Sequence, residues 1–125
     1  MQALAQSPAA VYRKIDLDAR IEASQASDLT RICLEEAIVA LGQAIVRMEQ
    51  EPAAIPRDAL SRAHGIALWL MRTIAPDNPL RGELTQFYGG LEKTLRSNLV
   101  QPRLDELRQV QTDYQDLLTA ALAAD

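Results

Sequence analysis

The sequence holds one cysteine, Cys33, and one histidine, His64, in 125 residues. A lone cysteine excludes a disulfide within the chain, and with it the stapled scaffolds of small secreted domains. One cysteine and one histidine cannot build a structural zinc site of the usual Cys/His kind. A di-iron bundle needs two Glu-x-x-His pairs, which a single histidine cannot supply. No metal and no cofactor is therefore expected. Aromatics are only 4% of residues. No apolar run approaches the roughly 18 to 20 residues that span a bilayer, so no membrane insertion is expected. The N-terminus lacks the charged-then-apolar layout of a signal peptide. A net charge of -4 and a pI near 5.0 argue against nucleic acid as a partner. Neither a Gly-x-Ser-x-Gly segment nor a Gly-rich phosphate loop occurs. The expectation is a cytoplasmic protein without enzymatic chemistry.

What is present is helix-forming residues. The chain has 20 Ala and 18 Leu against 5 Gly and 6 Pro. Ala and Leu head the helix-propensity scale, so an all-α fold is predicted. Prolines and polar clusters divide the chain into five pieces. Residues 1–27, rich in Ala, Ser and Gln around a few large apolar residues, are predicted to be an N-terminal strap or short helix. A first long helix is predicted over 28–50, capped by Ser27 or Asp28 and stopped by Pro52. A second is predicted over 56–74, with Pro56 in its first turn. A third is predicted over 79–98, with Asn78 as cap and Pro79 behind it. A fourth runs over 102–122. Short loops make neighbours antiparallel, so residues 28–125 are predicted to be an up-down four-helix bundle.

The faces of these helices carry the rest of the signal. At 100° per residue, helix 28–50 presents a stripe of Leu34, Ile38, Leu41, Ile45 and Met48. Beside it lies a second of Leu29, Cys33, Ala37, Ala40 and Ala44. A third stripe, Ile32, Val39 and Val46, falls at intervals of seven on what should be the wet face. Glu35, Glu36, Gln43 and Arg47 surround it, and the two glutamates read as solvated surface. The N-terminal segment, a second copy in a homodimer, or another protein's helix would each account for this stripe. Helix 56–74 shows a similar excess, with Leu68 and Met71 beyond its core arc near His64. Ile32, Val39, Val46, Leu68 and Met71 are the candidate partner-binding residues. Helix 79–98 presents Leu80, Leu84, Phe87, Leu91 and Leu95, with Tyr88 beside them. Gly89-Gly90 interrupts this pattern, so the helix breaks there or another backbone comes close. Helix 102–122 presents Leu104, Leu107, Val110, Tyr114, Leu118 and Ala121.

His64 raises one enzymatic alternative. Arg62-Ala63-His64-Gly65-Ile66-Ala67-Leu68 faintly resembles the Ala-His-x-Leu-Lys-Gly signature of histidine phosphotransfer domains, which are also four-helix bundles. The family's Lys and Gly positions are here Ala67 and Leu68. The match therefore fails at the residues that would support and admit a phosphoryl group.

A broader resemblance begins at the N-terminus. Tyr12-Arg13-Lys14-Ile15-Asp16-Leu17-Asp18-Ala19-Arg20-Ile21-Glu22-Ala23-Ser24, followed by Leu29, resembles the opening of the flagellin-specific export chaperones, the FliS family. Tyr12, Ile15, Leu17, Ile21 and Leu29 fall in register with that opening without a gap. Cys33-Leu34-Glu35-Glu36-Ala37 stands where the family has Leu-Tyr/Phe-Asp-Gly-Ala. Ala59-Leu60-Ser61-Arg62-Ala63 stands for its Ala-Leu-x-Lys-Ala, and Phe87-Tyr88-Gly89-Gly90-Leu91 for its Leu-Tyr-Asp-Tyr-Met. The chain departs from the pattern at the turn proline (Ala26 stands near there), at Glu36 and Gly90, in a shorter loop between the second and third helices, and in lacking a C-terminal Trp. It resembles a diverged member. The resemblance implies a cytoplasmic chaperone that binds the disordered C-terminal segment of flagellin in apolar helix grooves and blocks premature polymerisation. The complex would then dock at the flagellar export gate. It also implies that Tyr12, Ile15, Leu17 and Ile21 form a strap that folds over the binding surface or contacts the gate.

Overall fold

A computed structural model describes residues 26–123 of the chain, so the strap residues Tyr12, Ile15, Leu17 and Ile21 lie outside the described residues. Among the described residues four helices follow in order: α1 (Ala26–Gln50), α2 (Arg57–Arg72), α3 (Arg81–Val100) and α4 (Leu104–Ala123). No strand occurs among the described residues. The chain divides into two compact units, Met1–Ile32 and Cys33–Asp125, with the boundary inside α1. Of the first unit only the opening turns of α1 are described. The second unit is the four-helix bundle.

The helix ends follow local chemistry. The Glu51 amide still donates to the Arg47 carbonyl at 2.9 Å, and Pro52 then stops the ladder. Pro56 sits just ahead of α2 and offers its carbonyl to the Leu60 amide at 3.0 Å. Asn78 acts earlier than predicted. Its Oδ1 accepts from the Leu80 amide at 2.8 Å, which builds a turn, and α3 proper begins only at Arg81. Leu80 therefore precedes the helix and is exposed instead of joining the core. The α3–α4 connection is only three residues, and a fully buried Asn98 braces it.

Hydrogen bonds between side chains set the ring of neighbours in the second unit. Arg62 on α2 reaches Gln43 on α1, and His64 on α2 reaches Glu92 on α3. Asn98 on α3 reaches Glu106 on α4, and Arg108 on α4 reaches Glu49 on α1. Each helix thus touches the next and α4 returns to α1, as in an up-down bundle. The core is one cluster centred on Leu34, Leu41, Leu60, Leu70, Leu95, Leu107 and Tyr114. Each such leucine contributes roughly 1.5–3 kcal/mol by leaving water. Small residues (Ala37, Ala40, Ala44, Ala63 and Ala67) are fully buried between the large ones and let the helices approach.

Three expectations from the sequence are corrected. α3 runs through Gly89-Gly90 without a break, and neither glycine has a positive φ. A Cβ at Gly89 would meet only the Met71 methyl at 3.8 Å, and one at Gly90 would meet nothing. No close backbone demands either glycine. Second, Tyr88 and not Phe87 faces inward: Tyr88 is 5% exposed and Phe87 37%. The buried stripe of α3 steps through Leu84, Tyr88, Leu91, Leu95 and Asn98, which turns Phe87 outward, where it packs edge-on against the Tyr88 ring. Third, Glu36 is buried, not solvated, because it lies on the same side of α1 as Cys33 and Ala40.

Candidate docking face

The outer face of α1 leaves apolar surface exposed, as single residues such as Leu80, Phe87 and Val100 do elsewhere. Val39 and Val46 are 48% and 50% exposed, two turns apart on one line of the helix. They line a shallow open groove with Gly42, Gln43, Arg47 and Gln50. Gly42 supplies the dip between the two valines, since it offers no side chain at the intervening turn. The same absence admits a neighbour from α4. The Gln111 carboxamide donates to the Ile38 carbonyl at 3.2 Å, and a Cβ at Gly42 would stand 3.3 Å from its Nε2.

Polar groups frame the groove. Arg62 Nη2 on α2 donates to Gln43 Oε1 at 2.9 Å and brings a guanidinium to that wall. Arg47 lies 3.6 Å from Glu51 in an exposed pair one turn along, a contact of small net value. The remaining candidate residues lie elsewhere. Ile32 is 5% exposed and is thus no part of the open surface. Met71 is half-buried against the core, with its methyl close to Gly89 on α3. Leu68 is half-buried outside the core cluster. Neither Leu68 nor Met71 lines the groove that holds Val39 and Val46. Sequence periodicity found the valines but missed Gly42. Its signal was there, as a glycine inside an otherwise strong helix between two heptad-spaced valines.

His64 belongs to a different, buried cluster. Its Nε2 lies 2.8 Å from Glu92 Oε2, and both side chains are largely buried. Arg96 Nε approaches the same oxygen at 3.4 Å. Tyr114, fully buried on α4, has its phenol held well above its ordinary range, first by burial and then by Tyr88 and Glu92 nearby. Its hydroxyl has no hydrogen-bond partner. A phosphate-accepting histidine must present an open nitrogen. Here Nε2 is engaged by a buried carboxylate, and a second anion would have to approach beside Glu92. This geometry suits a structural pair between α2 and α3.

Cys33 is buried, and burial together with the nearby Glu36 carboxyl pushes its thiol up to about 11. At neutral pH it is a small apolar core residue. Among the described residues no group of His, Cys, Asp and Glu could hold a metal ion, and no helix is long and apolar enough to cross a membrane. No protein-family model matches the chain, and no curated protein and no solved structure matches it either.

Proposed function

We propose that this chain is a cytoplasmic helical chaperone that binds the disordered C-terminal segment of flagellin, keeps it from polymerising and delivers it to the flagellar export gate. The observation that carries the binding reading is the exposed Val39–Val46 line on α1, apolar surface that the bundle does not use for itself. The choice of flagellin rests on the resemblance of Tyr12–Ser24 and of the three helix motifs to the export-chaperone family. Such a client segment would fold into a helix on the groove, with apolar burial offsetting its ordering entropy. The strap residues Tyr12, Ile15, Leu17 and Ile21 are assigned to the gate or to covering the groove when no client is bound.

The test is isothermal calorimetry with a synthetic flagellin C-terminal peptide. Val39→Asp and Val46→Asp each place a charge in the apolar contact and should weaken binding by a factor of ten or more, about 1.4 kcal/mol or above. Circular dichroism should show the helical fold intact, because both sites are half exposed. Unchanged affinity in both folded variants would remove α1 as the docking face. No heat of binding with wild type would remove flagellin as the client.

A further inference from the structure

We draw no further inference here: the strongest candidate, the exposed Val39–Val46 line with its shallow groove on the outer face of α1, belongs to the docking face already described, and nothing in the structure shows what covers it.

Discussion

Asn98→Ala should cost about 2–4 kcal/mol, a loss large for one polar residue, and the reason lies in three bonds. The Asn98 Nδ2 donates to the Thr94 carbonyl at 2.8 Å and to Glu106 Oε1 at 3.0 Å, and its Oδ1 accepts from the Arg103 amide at 2.6 Å. The three do not weigh equally. The Thr94 carbonyl also accepts within α3, and the partly exposed Glu106 carboxylate can return to water, so their losses are small. The Arg103 amide stands at the start of α4, where no helical partner exists. Orphaning it costs about 1–3 kcal/mol. Truncating a side chain with no exposed surface adds a void and lost contacts, on the order of 1 kcal/mol. Urea denaturation followed at 222 nm gives the difference directly, with an unchanged m-value. Asn98→Asp separates the terms. It keeps an acceptor for Arg103 at a helix start, which favours negative charge, but sets an anionic oxygen against Glu106. It should be strongly destabilised at pH 7 and largely recovered by adding Glu106→Gln. A loss below about 0.5 kcal/mol in Asn98→Ala would refute the bracing role. A double variant no better than Asn98→Asp alone would refute the Glu106 contact.

Three more expectations test other parts of the bundle. Tyr114→Phe removes a buried hydroxyl that has no partner. It should leave stability unchanged or raise it by about 1 kcal/mol, where a hidden hydrogen bond would give a comparable loss. Cys33, Tyr88 and Tyr114 all have acid groups raised by burial above ordinary values of 9.0 and 10.0. The folded state therefore holds their protons longer than the unfolded state. Their contribution is complete below about pH 9 and is lost as pH climbs through the folded values. Thermal melts should be insensitive to these groups up to that pH and fall beyond it, with slow Cys33 labelling by a thiol reagent until the bundle opens. Gly90→Ala fills open space on a helix and should add about 1 kcal/mol in urea melts.

The all-α fold was legible because its signals agree. Leucine and alanine stripes of helical period, prolines between them and short connections all give the same four helices, which the structure shows with ends shifted by a few residues. The rotation of α3 was less legible. Both Phe87 and Tyr88 fit an apolar face, and only the packing of Asn98 and Leu95 below them decides which ring turns in. Asn98 itself reads in sequence as a helix terminator. Its burial depends on Glu106 and Arg103, which no local pattern connects to it. The buried Glu36 was missed for a similar reason, since a glutamate on a helix is ordinarily solvated. Of the docking face, the valine line was visible as a period of seven. The neighbours of that line from other helices, Gln111 at the Ile38 carbonyl and Arg62 at Gln43, carry no local sequence signal.

The unbroken run of α3 through Gly89-Gly90 has a dynamic consequence. Two glycines in mid-helix remove about 2 kcal/mol of local helical preference, and the space beside them holds only the Met71 methyl, near Gly89. Tyr88 and Leu91 on either side pack this turn onto the core, and the Thr94 hydroxyl donates to the Gly90 carbonyl at 3.1 Å. Local openings of low free energy should therefore concentrate at this turn, ahead of global unfolding. In hydrogen exchange the amides around Gly90 should be the first in α3 to lose protection. The seam where α3 meets Met71 and His64 of α2 would then be the place where the bundle loosens first.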